Sequence, residues 1–141
     1  MIIQPYLFFD GRCEEAVSYY QEHLGARVVM SMRFKDSPEE SNCGPDGKKP
    51  DPEKIMHTGF MLGESLVMAS DGLCDGKTKF DGFSLSISVK EKAEAERIFR
   101  VLSDGGQVCA PLVQTFFSPA FGMLIDRFGV SWMVMVEPQQ S

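Results

Sequence analysis

Basic residues are scarce in this chain. Fourteen Lys and Arg stand against 20 Asp and Glu, and the densest basic run is Lys48-Lys49. A net charge of −6 without a local basic cluster gives no electrostatic footprint for nucleic acid or an anionic membrane, so neither partner is expected. Long apolar runs are also missing: stretches such as Met133-Val134-Met135-Val136 fall far short of the roughly 20 residues that span a bilayer. The opening Met1-Ile2-Ile3-Gln4-Pro5 lacks the basic and apolar regions of a secretory leader, and a cytoplasmic location is expected. Closely spaced cysteines are absent. Cys13, Cys43, Cys74 and Cys109 are scattered along the chain without a C-x2-C pair for zinc or dithiol chemistry, which predicts free thiols in a reducing compartment.

What is present is a chain of 141 residues, 43% hydrophobic and 24% charged, the profile of one soluble globular domain with its own core. Nine methionines and eleven phenylalanines stand out. Methionine is flexible and polarizable, so such an excess fills gaps in a core or lines an adaptable pocket.

The hydrophobic pattern predicts a strand over Ile2 to Phe9, the turn Asp10-Gly11, and a helix on which Cys13, Ala16, Val17, Tyr20 and Leu24 form one stripe, with Gly25 closing it. Strands follow at Arg27 to Phe34, Lys54 to Leu62 and Ser65 to Ser70, the last two joined at Gly63-Glu64. Between them, Asp36 to Glu53 reads as a long loop, and Asp71 to Asp81 is a second polar segment. The order then repeats. A strand from Phe83 to Val89, a helix marked by Ala95, Ile98, Phe99 and Leu102 and ended by Gly105-Gly106, and strands at Gln107 to Thr115, Gly122 to Asp126 and Ser131 to Val136 complete it. Residues echo the repeat: Glu14-Glu15-Ala16 with Tyr20 answers Ala93-Glu94-Ala95 with Phe99, and Ser65-Leu66-Val67-Met68 answers Ser131-Trp132-Met133-Val134. The fold class is therefore α+β, one domain over 1–141 made of two tandem βαβββ modules, 1–75 and 80–141, each needing a partner for its apolar sheet face.

Gln4-Pro5-Tyr6-Leu7-Phe8-Phe9, Glu14-Glu15-Ala16 through Tyr19-Tyr20 to Leu24-Gly25, Met56-His57, Leu66 through Gly72, and Asp126-Arg127-Phe128-Gly129-Val130-Ser131-Trp132-Met133 together resemble a PhnB-like protein of the vicinal oxygen chelate superfamily, which includes glyoxalase I, bleomycin-resistance proteins and extradiol dioxygenases. The resemblance implies that the modules curl into a mixed-sheet cup and that chains pair as homodimers. It also brings a methyltransferase label, but no Gly-rich loop follows the first strand to hold a nucleotide-like methyl donor, and that activity is not expected.

Enzymes of this superfamily hold a divalent metal with His, Gln or Glu. The matching positions here are Gln4 on the first strand, Ser84 on the fifth and Met133 on the last. Neutral Ser and a thioether do not make a first-row divalent site, so no metal or other cofactor is predicted. Alternation instead puts Gln4, Tyr6 and Phe8 on one face and Ser84, Ser86 and Ser88 on another, with Trp132, Met133, Met135, Met68 and Ser70 as a wall, suiting a small apolar ligand with a few polar atoms. The same residues equally suit plain core packing. His57, within a strand, is a candidate base or ligand-contacting group, or a half-buried histidine bonded to a neighbouring strand; His23 is expected at the helix C-terminal turn. A displaced catalytic site from Gln4, His57 and Glu64 or Asp71 is the alternative, and a non-catalytic sequestering dimer a third. Three phenylalanines in Thr115 to Phe121 suit a lid or a subunit contact.

Overall fold

A computed structural model describes residues 1–37, 50–72, 76 and 79–138. The predicted loop at Asp36 to Glu53 lies mostly outside these residues, as do Cys43, Cys74 and part of the segment after Asp71. The chain divides into two compact units, Met1–Thr78 and Lys79–Ser141.

The first unit runs β1 (Tyr6–Phe8), α1 (Cys13–Leu24), β2 (Arg27–Arg33), β3 (Ile55–Leu62) and β4 (Ser65–Ser70), with one 3-10 turn at Phe34–Asp36 after β2. The second runs β5 (Leu85–Val89), α2 (Lys92–Ser103), β6 (Gln107–Val113), β7 (Phe121–Ile125) and β8 (Ser131–Val136). Both are βαβββ with the same sheet topology, β1-β4-β3-β2 and β5-β8-β7-β6, in which the outer pair β1 with β4, and β5 with β8, is parallel and the rest antiparallel. This is the α+β arrangement the sequence predicts. Among the described residues, no helix is long and apolar enough to cross a membrane.

Strand ends differ from the sequence reading where the backbone runs out of donors. β1 begins at Tyr6 because Pro5 has no N–H to extend the ladder. β6 carries Pro111 and irregular register at Val108/Ala110 and Ala110/Val113, which an outermost strand tolerates.

Each helix covers one face of its own sheet. Cys13, Ala16, Val17 and Tyr20 of α1 are buried with Leu7, Phe9, Phe60, Val67 and Ala69, and the Tyr20 and Phe60 rings stack at 6.1 Å. In the second unit Ala95, Ile98 and Leu102 of α2 are buried with Leu124, Trp132, Val134 and Val136. Gly122 lets Phe99 close onto β7: an added Cβ would lie 2.6 Å from the Phe99 ring and 3.0 Å from the Leu112 Cα.

The echo between Ser65-Leu66-Val67-Met68 and Ser131-Trp132-Met133-Val134 is one residue out of register. On β4 the helix-facing residues are Val67 and Ala69, whereas on β8 they are Trp132, Val134 and Val136. Alternation sends Leu66 and Trp132 to opposite faces, so the matching side chains are Met68 and Met133.

Candidate functional site

The helix-free face of the first sheet is legible from its register. One row across the strands is Met30–Gly59–Met68–Tyr6. The next is Met32–His57, then Ser70 and Phe8, because Thr58 opposite Ala69 brings His57 beside Ser70. Met61 and Leu66 pair in the row beyond. A bulge at Val28/Met30 sets β2 so that Met30 and Met32 join this face.

Tyr6 reaches diagonally over β4, and its hydroxyl lies 2.9 Å from His57 Nδ1. The Tyr6 ring sits 5.1 Å from Phe8 and 5.5 Å from the imidazole, tilted to both. Tyr6 is 37% exposed, Phe8 47% and Met30 45%, while His57, Met32, Met61 and Met68 are half-buried. The result is an aromatic and thioether surface with one oriented imidazole. Ser70 is buried at the rim, its Oγ accepting from the Gly72 N–H at 3.1 Å. Gln4 precedes β1 and is exposed, so strand pairing does not fix it beside Tyr6. Sequence alone does not single out Met30, Met32 and Met61: alternation with His57 places Met61 on this face, and period two flags Met30 and Met32 only once the bulge in β2 is known.

On the second sheet the same kind of face carries Ser86 beside Met133 and Ser88 beside Met135, with Met123 and Phe121 next across β7. Met133 and Met135 are half-buried and Ser86 is exposed. Ser84, just before β5, is half-buried with its Oγ 2.7 Å from that of Ser131. Trp132 does not share this wall. It points to the helix side, 2% exposed, and its indole N–H donates to Asp126 Oδ2 at 2.8 Å.

The superfamily's metal does not fit the donors present. Gln4 is an exposed amide, the Ser84 hydroxyl is engaged with Ser131, and Met133 offers a neutral thioether, so no carboxylate or imidazole stands at any of the three positions. The displaced set is not assembled either. Asp71 is 1% exposed and accepts from the N–H groups of Gly11 (2.9 Å), Cys13 (2.8 Å) and Ile55 (2.8 Å), which binds β3 to the start of α1. Glu64 lies in the β3–β4 turn, roughly 16 Å or more along the strand from His57 at about 3.3 Å per residue. His23 packs on Tyr19, ring centroids 4.3 Å apart, in the last turn of α1. The segment from Thr115 to Ala120 is pinned by Ser118, whose Oγ is 2.6 Å from the Val136 carbonyl, and it holds Phe116 99% exposed.

The family model described as 3-demethylubiquinone-9 3-methyltransferase matches residues 2–135. Protein YjdN of Escherichia coli K12 is 34% identical over 99% of this chain and 98% of its own. Among solved structures, protein PA1353 from Pseudomonas aeruginosa is 42% identical with a TM-score of 0.84, covering 99% of both chains. The PhnB protein from Bacillus cereus, described as a putative 3-demethylubiquinone-9 3-methyltransferase, is 26% identical with a TM-score of 0.79, over 96% of this chain and 99% of its own. A glyoxylase/bleomycin resistance protein/dioxygenase domain from Frankia sp. EAN1pec, at 16% identity and a TM-score of 0.62 over 100% and 94% of the two chains, shares the fold. With the helix-flanked, duplicated sheets and these relatives together, the chain belongs to the PhnB-like family that this model describes, and it shares the fold of the glyoxylase/bleomycin resistance/dioxygenase domains.

Proposed function

We propose that this PhnB-like chain binds a small, mostly apolar organic molecule on the helix-free face of the first sheet, without the superfamily's divalent metal. The observation that carries the reading is the Tyr6–His57 pair, 2.9 Å apart in a surface of Phe8, Met30, Met32, Met61 and Met68. Apolar area with a few fixed polar groups is what small-molecule sites are made of, and flexible thioethers adapt to ligand shape. Ser84, Ser86, Met133 and Met135 supply a second surface of like composition and belong to the same proposal. Methyl transfer, named in the family description, forms no part of this reading: no Gly-rich loop follows β1 to hold a nucleotide-like methyl donor, and the backbone N–H groups at the start of α1 are taken by the Asp71 carboxylate. The reading also takes the protein as cytoplasmic, in keeping with the exposed free thiol of Cys109, and as a homodimer, in keeping with fully exposed Phe116 on a pinned loop.

The test is methyl-labelled methionine NMR with a panel of monocyclic phenols and cyclic ketones. Signals of Met30, Met32, Met61 and Met68 are expected to move, and Tyr6→Phe or His57→Ala to weaken binding about tenfold, the loss of one hydrogen bond. Movement confined to Met123, Met133 and Met135 would transfer the site to the second sheet, and no movement would end the proposal.

A further inference from the structure

The geometry points to a soft-metal site on the first sheet: we propose that His57 Nε2 and the thioether sulfurs of Met32, Met30 and Met68 bind Cu(I). Met32 stands directly opposite His57 across the β2–β3 pair. Met30 and Met68 flank Gly59 on its two sides, each diagonal to His57. Direct partners on one face have Cβ atoms about 5 Å apart and diagonal ones about 7 Å, a gap that long, unbranched methionine side chains span. Gly59 contributes no side chain between them, and a Cβ there would meet Leu66, Val29 and Met30 at 3.5 to 3.8 Å, so the centre of the set is low and walled.

Three features select the metal. Thioether and imidazole donors suit Cu(I), whereas magnesium, calcium and manganese want oxygen. No Asp or Glu occupies any position of the two rows Met30–Gly59–Met68–Tyr6 and Met32–His57–Ser70–Phe8, so the site is neutral and serves a monovalent ion better than a divalent one. Finally, Tyr6 orients the imidazole. The Tyr6 hydroxyl lies 2.9 Å from Nδ1, and in the tautomer protonated at Nδ1 that N–H donates to it and the Nε2 lone pair is left for metal, the arrangement by which outer groups fix ligating histidines. Tyr6 is thus a positioning residue. This inference does not rest on the organic-ligand reading, which uses the hydroxyl and imidazole but no sulfur lone pair.

The experiment is anaerobic Cu(I) titration against the chromogenic chelator bicinchoninate, in wild type and in a Cys43→Ser/Cys74→Ser/Cys109→Ser background that removes competing thiols, with Cu K-edge absorption as a second readout. One Cu(I) per chain is expected to remain bound in the background variant, with a mixed nitrogen and sulfur shell. Met32→Leu/Met68→Leu, which conserves volume, is expected to abolish retention with little change in the melting temperature. Tyr6→Phe is expected to lower Cu(I) affinity about tenfold and keep the same metal shell. Loss of all binding in the Cys43→Ser/Cys74→Ser/Cys109→Ser background, or retention unaffected by the double leucine variant, overturns the proposal.

Discussion

Asp71 does for α1 what the residue at its own N-cap cannot. Arg12 has no acceptor to offer the first turn, and the carboxylate arriving from the end of β4 takes the N–H groups of Gly11 and Cys13 instead, then reaches β3 through Ile55. Removing it strands three donors, two of them in fully buried surroundings. Asp71→Ala is expected to cost about 3 kcal/mol or more in urea denaturation, whereas a surface change such as Glu64→Ala should cost under about 0.5 kcal/mol. Trp132 and Asp126 form a second buried pair, and Trp132→Phe is expected to cost about 2 kcal/mol by deleting the indole donor while Asp126 keeps the N–H groups of Phe128 and Val130. Cys13 shows how context overrides position. A thiol at a helix N-terminus is ordinarily acidified, yet burial pushes this one well up, with the charges of Asp71 and Glu14 adding to the effect. Cys13 is therefore expected to resist iodoacetamide at neutral pH in native protein while exposed Cys109 reacts, as peptide mass mapping would report. Because the folded thiol keeps its proton beyond the pH at which the unfolded chain loses it, its contribution to stability is whole below the ordinary cysteine range and is lost as pH rises above it. None of this was readable from the residues singly: Asp71 lies 58 positions from Cys13, and only the fold brings a polar loop residue to a helix start.

At the scale of elements, the periodic signals carried far. The stripe of Cys13, Ala16, Val17 and Tyr20, the alternation of β5, and the limits of β4 and β8 all follow from apolar spacing and turn residues, and the structure has them. Register was less legible. Trp132 looked like a companion of Met133 and Met135 because size and apolarity say nothing of parity, and a one-residue slip in the repeat hid that it faces α2. The methionines of β2 were hidden by a bulge for the same reason. Glycines mark the tightest contacts between elements. At Gly106 an added methyl would overlap the Ile125 carbonyl, backbone that has no room to yield, and at Gly122 it would press on Phe99 and on the Leu112 backbone. Gly106→Ala and Gly122→Ala are each expected to lower stability by about 2 kcal/mol, measurable by thermal melting, and Phe99→Ala in the Gly122→Ala background should relieve only part of the loss because the Leu112 and Ala110 contacts remain.

For the molecule as a whole, composition and connectivity tell different things. Acidic balance, pI about 4.9, predicts that the protein passes through heparin resin at low salt without retention. Seven of the nine methionines acquire an address: Met30, Met32, Met61 and Met68 share the helix-free face of one sheet, and Met123, Met133 and Met135 that of the other. Connectivity has a further effect. Among the described residues every strand ladder closes within one unit, since β1 pairs with β4 and β5 with β8, and no sheet hydrogen bond joins a strand before Thr78 to one after it. The order of the two halves in the gene is thus unconstrained by their ladders. A permuted reading frame that starts at Lys79 and continues through a flexible joint into Met1 would encode the same eight strands with every pairing kept, so recombination at this boundary can shuffle, fuse or exchange halves among relatives without cutting a sheet.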